Sequence, residues 1–178
     1  MTKQRTQRLS ERRMPPPGWA EAVVNAAPPG SRDRQLVEVL YSTGARITDV
    51  LNLQWRDIEF AHARAYVRQK KNGSWYYMRF SPAALGALQQ RKNAGLPRPF
   101  GMSRATAHRI VRHLCDQAGV KPLGPHGFRH SLARRILDRT GNVRLAQQIL
   151  GHASVESIMA YTELMPDQVD EAHARLWK

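Results

Sequence analysis

The densest group of reactive side chains in this sequence is the segment PHGFRH at residues 125–130. His126 and Arg129 lie three residues apart, which places them on one face if a helix starts here. An imidazole transfers protons and a guanidinium fork binds phosphate oxygens, so the pair suits the breaking of a phosphodiester bond. Taken alone, a histidine at this position is also explained as a helix cap or a surface residue.

Two further motifs carry side chains of related chemistry. TGAR at residues 43–46 places Arg46 just after a glycine that ends an apolar helix, and LGH at residues 150–152 is followed by Tyr161, nine residues after His152. A tyrosine hydroxyl is a candidate nucleophile for attack on a phosphate. Each has an ordinary explanation by itself, since an arginine often neutralises a helix C-terminus and a tyrosine is usually a core or surface aromatic residue.

The sequence offers little to a metal-dependent mechanism. Nucleases of that kind hold two ions with clustered carboxylates, and no DxD or similar cluster stands out among the 14 acidic residues. His126 and His130 imitate a metal-binding pair, but a third ligand and an acidic general base are missing. We therefore predict no metal and no other cofactor, and a route that uses Arg, Lys and His with a side-chain nucleophile.

The charge composition indicates a polyanionic partner. The 178 residues include 28 Lys and Arg against 14 Asp and Glu, a net charge of +14, and nucleic acid is the partner that most commonly offsets such self-repulsion. An anionic membrane surface is the weaker alternative, because no apolar run approaches the roughly 20 residues that span a bilayer. The single cysteine, Cys115, fits a reducing cytoplasm and a small buried group on a helix.

The length suits one compact domain with a real core. Residues 1–30 are basic and rich in proline, so we expect an N-terminal arm with one short helix starting after Gly18. The folded domain is expected over residues 31–178.

Hydrophobic periodicity predicts a mostly helical fold with a small sheet near the middle. Aromatic and β-branched residues fill 64–69 and 74–80 on either side of the Asn72-Gly73 turn, and 54–60 would supply the first of three antiparallel strands. The apolar spacing predicts helices around 36–41, over 48–53, around 85–88, over 103–118, around 132–137, around 145–150 and over 167–176.

Taken jointly and in chain order, these motifs resemble the catalytic domain of the tyrosine site-specific recombinases, the phage integrase family. That family shows an Arg after a helix-ending glycine, a Lys in a β-hairpin, H-x-x-R, L-G-H and then a Tyr. The matching residues here are Arg46, Lys70 or Lys71, His126, Arg129, His152 and Tyr161. The resemblance covers roughly residues 31–178, and it extends into the flanking segments 41–60 and 126–137.

The resemblance implies a mechanism in which Tyr161 attacks the scissile phosphate, giving a 3′-phosphotyrosyl enzyme and a free 5′-hydroxyl. Arg46 and Arg129 would clamp the non-bridging oxygens, because guanidinium forks match phosphate geometry. His126 would assist proton transfer at the tyrosine or hydrogen-bond the phosphate, and His152 would donate to a non-bridging oxygen. Religation to another strand would give integration, excision or inversion of DNA.

The hairpin lysine is a choice between neighbours. Lys71 adjoins the Asn72-Gly73 turn and matches the family's lysine best when counted back from the next strand's end, so the resemblance assigns it to protonate the leaving 5′-oxygen. Lys70 would contact backbone phosphate or stay in solvent. Two positions depart from the family: Asp49 replaces a common Glu and stays outside the catalytic set, and Arg79 stands where a proline usually ends the strand.

The resemblance also implies double-stranded DNA as the partner, a monomer in free solution, a homo-oligomer on DNA that is a tetramer at synapsis, and a cytoplasmic, nucleoid-associated location. The helix expected over 167–176 would dock on its own domain or into a neighbouring protomer. Family members carry a separate core-binding domain, for which residues 1–30 are too short. The chain is then either a catalytic fragment or a minimal recombinase similar to the fimbrial-switch invertases.

Three alternatives stay open at this point. A type IB topoisomerase shares the chemistry, although the LGH element and short hairpin are closer to integrases. A catalytically silent DNA-binding protein on the same fold would not need all the reactive elements. A basic ribosomal or RNA-binding protein explains the charge but leaves the ordered motifs unexplained.

Overall fold

The computed structural model describes residues 14–68 and 75–151, and these form seven α-helices and one three-stranded sheet. The helices are α1 Trp19–Ala26, α2 Arg32–Thr43, α3 Ile47–Asn52, α4 Pro82–Asn93, α5 Arg104–Gln117, α6 His126–Thr140 and α7 Val143–Ile149. The strands are β1 Ile58–Glu59, β2 Arg64–Arg68 and β3 Trp75–Arg79. The predicted mostly helical fold with a small antiparallel sheet is confirmed.

Three helices begin at a serine whose hydroxyl accepts a backbone N–H of the first turn. Ser31 caps α2, Ser81 caps α4 ahead of Pro82, and Ser103 caps α5. Serine is favoured there because it satisfies one of the amides that a helix start leaves without a partner. These caps fix where the helices around the sheet start.

Gly44 ends α2 in the left-handed region, at φ 55°, a backbone conformation that costs glycine little. A Cβ at this position would lie 2.9 Å from side-chain atoms of both Leu132 and Leu150. The turn after α2 is therefore closed against α6 and the end of α7. It leads directly into Arg46, whose carbonyl starts α3.

The sheet has the order β1-β2-β3 with antiparallel neighbours, and Tyr66 lies opposite Tyr77 in the register. The first strand is shorter than the predicted 54–60. A 3-10 turn, Trp55–Asp57, occupies the start of that range, because the Asp57 carboxylate accepts the Gln54 backbone N–H at 2.9 Å. Successive side chains of a strand point to opposite faces, so the sheet has one face toward the core and one toward solvent.

The apolar interior of the described residues falls into two clusters. The larger contains side chains of α1 to α5, the sheet and Phe128 at the start of α6. The smaller lies between α6 and α7 and is formed by Leu132, Ala133, Ile136, Leu137, Ala146 and Leu150. Cys115 is fully buried in the larger cluster, as its position on an amphipathic helix predicted.

The short helix expected after Gly18 is present as α1, and it belongs to the core. Trp19 is 1% exposed, its ring meets Phe128 edge-on at 5.1 Å between centroids, and its Nε1 donates to the Lys121 carbonyl at 2.8 Å. The core thus includes residues upstream of the boundary expected near residue 31. Within the described ranges, no helix combines the length and the hydropathy that crossing a bilayer requires.

Candidate active site

Three of the six predicted site residues lie in the described ranges. Arg46 is the N-cap of α3, His126 is the first residue of α6, and Arg129 follows one turn later on the same helix. The positive charges of Arg46 and Arg129 both act on His126, so the structure brings the turn after α2 and the start of α6 together. The other three, Lys71, His152 and Tyr161, lie outside the described residues, as does Lys70, the alternative to Lys71.

Arg129 connects the separate motifs of the site. Its guanidinium is only 7% exposed. Nη1 donates to the Gly44 carbonyl at 3.1 Å, and Nη2 donates to the Leu150 carbonyl at 2.8 Å. One side chain therefore ties the turn before Arg46 to the segment that leads into His152.

Burial and, after it, the nearby charge of Arg46 lower the pKa of Arg129 to about 10. Tyr76 and Asp49 act against this shift. At neutral pH the group keeps its positive charge. Two like charges held close together in partly dry surroundings form a strong binding site for an anion.

Asp49 is the carboxylate beside the two arginines, and it is 7% exposed. Its Oδ2 accepts the Tyr76 hydroxyl at 3.1 Å and lies 4.0 Å from Nη1 of Arg46. Burial raises the pKa of Asp49, while the hydrogen bond from Tyr76 and the charge of Arg46 oppose the rise. The carboxylate thus forms an ion pair with Arg46 while it is held by Tyr76.

Tyr76 is a site residue that the sequence reasoning missed. It lies on the core side of β3, and burial together with the Asp49 charge raises the pKa of its hydroxyl, so the phenol stays protonated. The alternation of β3 gives the signal that its side chain points inward, and a buried tyrosine hydroxyl needs a partner. Nothing in the local sequence indicates that this partner is Asp49.

His126 is exposed to solvent. The surrounding protein nevertheless removes enough water to lower its pKa, and the charges of Arg129 and then Arg46 lower it further. The imidazole is therefore neutral at pH 7 and has a lone pair that can accept a proton. This protonation state suits a base more than an acid.

His130, one turn along α6, packs its ring against His126 at 4.9 Å between centroids. Burial, followed by the influence of His126 and Arg129, lowers its pKa to about 4. The described residues contain no group of three or more His, Cys, Asp or Glu side chains placed to hold a metal ion. We assign His130 a packing role beside His126.

The position of His126 depends on the next residue and on α1. A Cβ at Gly127 would lie 2.7 Å from the Trp19 ring, closer than real Cβ contacts. Trp19 thus packs directly on the backbone of the first turn of α6. The indole and the glycine together set how far the helix start reaches toward Arg46.

Comparison with known proteins places this architecture in a family. The model of the phage integrase family matches residues 20–167. Tyrosine recombinase XerC of Xanthomonas axonopodis pv. citri (strain 306) is 32% identical over 163 residues, which cover 84% of this chain and 53% of the relative. Tyrosine recombinase XerA of Pyrococcus furiosus is 32% identical over 156 residues, which cover 81% of this chain and 54% of the relative.

Two solved structures have a fold similar to that of this chain. The crystal structure of XerA recombinase superposes with a TM-score of 0.74 at 27% identity, over 91% of this chain and 64% of that one. A lambda integrase dimer bound to a COC′ core site gives 0.69 at 21% identity, over 84% of this chain and 59% of that one, and shows likeness of fold alone.

The fold is that of tyrosine recombinase catalytic domains. The chain belongs to the phage integrase family, which confirms the resemblance drawn from its motifs. It spans about half the length of the curated relatives that it matches.

Proposed function

We propose that this chain is the catalytic part of a site-specific DNA recombinase, which cuts and rejoins DNA strands through a 3′-phosphotyrosyl intermediate. The observation that carries the proposal is the double hydrogen bond of Arg129 to the Gly44 and Leu150 carbonyls. These bonds hold three motifs that are far apart in the sequence, TGAR, PHGFRH and LGH, around the Arg129 guanidinium. A purely structural arginine would not need a second guanidinium and a neutral histidine beside it.

The arginine pair supplies the charge stabilisation that phosphoryl transfer requires. The bonds to the two carbonyls use one N–H on each terminal nitrogen of Arg129, and a guanidinium carries five N–H groups. In the proposed complex the remaining donors face the scissile phosphate together with Arg46. The charge that develops on the non-bridging oxygens is then met by donors that need no reorganisation.

The proton balance of the proposed step uses the neutral state of His126. Tyr161 Oη forms a bond to phosphorus, the bond from phosphorus to O5′ breaks, and His126 accepts the phenolic proton. Lys71 gives a proton to the departing O5′, and His152 donates a hydrogen bond to a non-bridging oxygen. The reverse sequence with the 5′-hydroxyl of another strand rejoins the DNA, so the cycle uses neither metal nor nucleotide.

Double-stranded DNA is the proposed partner, and the net charge of +14 supports it. The related structures include XerH bound to a difH substrate and lambda integrase as a dimer on a core site and as a tetramer on a Holliday junction. We infer that this chain also acts as an oligomer on DNA, is monomeric when free, and works at the nucleoid. We further propose residues 31–178 as the catalytic domain, with α1 packed on it from the preceding arm.

A suicide substrate tests the nucleophile and the cofactor requirement together. We expect nicked duplexes with randomised flanking sequence to give a protein–DNA adduct that survives denaturation, in excess EDTA and without nucleotide. Tyr161→Phe should abolish the adduct while DNA binding persists. Tyr41→Phe is the matched control and should keep the adduct, because the Tyr41 hydroxyl donates to Glu21 at 2.9 Å and has no role in the proposed cleavage.

Two results would overturn the proposal. An adduct formed by the Tyr161→Phe protein would place the nucleophile elsewhere. Strict dependence of cleavage on added magnesium would replace the metal-free chemistry with a metal-assisted one.

A further inference from the structure

The solvent face of the sheet carries aromatic and arginine side chains in an ordered array. Alternation along β2 and β3 brings six side chains to this face: Arg64, Tyr66, Arg68, Trp75, Tyr77 and Arg79. Trp75 is 50% exposed and Tyr66 is 44% exposed, and these are the two large hydrophobic side chains that the described part of the chain leaves in solvent. Neither belongs to the core, and neither takes part in the proposed cleavage.

The rings form a column across the two strands. Trp75 and Tyr66 are stacked with centroids 4.5 Å apart and planes 14° from parallel, and Tyr66 and Tyr77 follow at 5.0 Å. The guanidinium of Arg64 lies over the Tyr77 ring at 4.4 Å, and that of Arg79 lies 5.9 Å from the same ring. The Tyr66 and Tyr77 planes are tilted by 35°, so the Trp75–Tyr66 pair is the flat part of the column, which these contacts hold in place and cations border.

The charge of this face is positive. Glu59 is the carboxylate next to it, and its Oε2 accepts Nε of Arg64 at 2.9 Å and lies 2.8 Å from Nη2. That pair leaves the Arg64 guanidinium over the Tyr77 ring, and Arg68 and Arg79 are both exposed residues. A ligand that matches the face must combine flat apolar rings with negative charge.

We propose that this face, the β2–β3 aromatic column with its arginines, binds unpaired nucleotides of single-stranded DNA. Bases stack on exposed aromatic rings and phosphates pair with the flanking arginines, the combination by which proteins hold single strands. Duplex DNA cannot use the column in this way, because its bases are stacked on one another and present only their edges. The site is separate from the phosphate clamp, and its occupation requires no cleavage.

The stack also has a simpler role, which the experiment must separate from binding. Cross-strand aromatic pairs stabilise a sheet by themselves. Leucine keeps apolar bulk but has no ring face, whereas phenylalanine keeps the face. The pair of substitutions Trp75→Leu and Trp75→Phe therefore distinguishes stacking on a base from packing within the sheet.

Fluorescence anisotropy of the wild-type chain with a labelled oligothymidylate of about 12 nucleotides, a length within the usual site size, tests the proposal. We expect Trp75→Leu, which removes the end ring, and Tyr66→Leu, which removes the ring that supports it, each to weaken binding of the single strand about tenfold. Affinity for a duplex of equal length should be unchanged. Trp75→Phe should stay within about twofold of wild type. Equal affinity of the leucine variants and wild type, or equal losses for single strand and duplex, would overturn the proposal.

A second measurement covers the case in which the leucine variants do not fold. Stacking of a base on Trp75 quenches its fluorescence, and the other three tryptophans are the same in the wild-type chain and in the Trp75→Phe variant. Titration of the wild-type chain with oligothymidylate should quench the emission, and the Trp75→Phe protein should lose that part of the signal. Identical quenching in both proteins refutes the site. Because these assays contain no cleavage step, their failure would leave the proposed recombinase chemistry standing.

Discussion

Replacing Arg129 by lysine keeps a positive charge and removes the planar fork, so it separates the two tasks of this side chain. The guanidinium is buried and donates to two carbonyls that belong to different segments, at 3.1 and 2.8 Å. A lysine has a single nitrogen, and we expect it to retain one of these bonds. The lost bond comes from a charged donor, so the free energy of unfolding should fall by about 1.5–3 kcal/mol.

The substitution should also create a pH dependence that the wild type lacks. Burial and the charge of Arg46 hold the pKa of Arg129 at about 10, below its ordinary 12.5. The same surroundings would lower the pKa of a lysine, whose ordinary value of about 10.4 lies below that of an arginine from the start. The variant would therefore lose its charge at a lower pH than the arginine enzyme.

The assay is single-turnover cleavage of the suicide substrate at pH 7 and pH 9, with DNA affinity and urea unfolding measured in parallel. We expect cleavage by Arg129→Lys to fall on the order of a hundredfold at pH 7 and further at pH 9, with a much smaller loss of DNA affinity. Arg134→Lys is the matched control. That arginine lies on the same helix, is 37% exposed and pairs with Asp138 at 3.6 Å, so its replacement should change little.

Equal losses of cleavage and affinity would refute the reasoning, since Arg129 would then be a backbone-phosphate contact. An unchanged free energy of unfolding would refute the structural half, because the carbonyl bonds would then contribute nothing.

Two further perturbations test neighbouring groups. Tyr76→Phe removes the hydroxyl that donates to Asp49. We expect the free energy of unfolding to fall by about 1.5–3 kcal/mol and cleavage to become slower, with DNA affinity retained. Unchanged cleavage would show that Asp49 holds Arg46 without this hydrogen bond. The pKa of His130 is about 4 in the folded chain and near 6.5 in the unfolded chain. Between these two pH values the unfolded chain therefore binds one proton more than the folded chain. The free energy of unfolding should fall by up to about 3 kcal/mol as the pH drops from 6.5 to 4. The raised pKa of Asp49 changes stability with pH in the opposite direction, so the urea unfolding of the wild type must be compared with that of the His130→Gln variant at each pH. Parallel pH profiles of the two proteins would show that His130 is not the group responsible.

Much of the secondary structure could be predicted from patterns of adjacent residues. The apolar spacing of the helices, the glycine that ends α2, and the aromatic and β-branched residues around the Asn72-Gly73 turn are each properties of a few adjacent residues. They predicted helix and strand positions to within a few residues. The predicted 48–53 helix, for example, is Ile47–Asn52. The predicted first strand is absent over 54–57, because the Asp57 carboxylate accepts the Gln54 backbone N–H and so holds this segment in a turn.

Patterns of adjacent residues could not predict which distant residues contact each other. His126 and Arg129 were predicted as site residues from their spacing on α6, but the carbonyls that Arg129 binds lie 85 and 21 residues away in the chain. Trp19 offers a similar case. Its short helix was predicted, yet its packing on Phe128 and on the backbone of Gly127 depends on tertiary geometry across more than 100 residues.

The division of the interior into two clusters has a consequence for how the molecule opens. Among the described residues the larger cluster contains 28 buried side chains and the smaller contains six. Native proteins unfold locally in cooperative units, and a unit with less buried apolar surface opens at lower free energy. The seven-residue α7 rests on the smaller cluster, so its amides should exchange with solvent before those of α2. The bond from Arg129 to Leu150 then crosses the boundary between two such units. The chain that continues from Gly151 is attached to the unit that opens first.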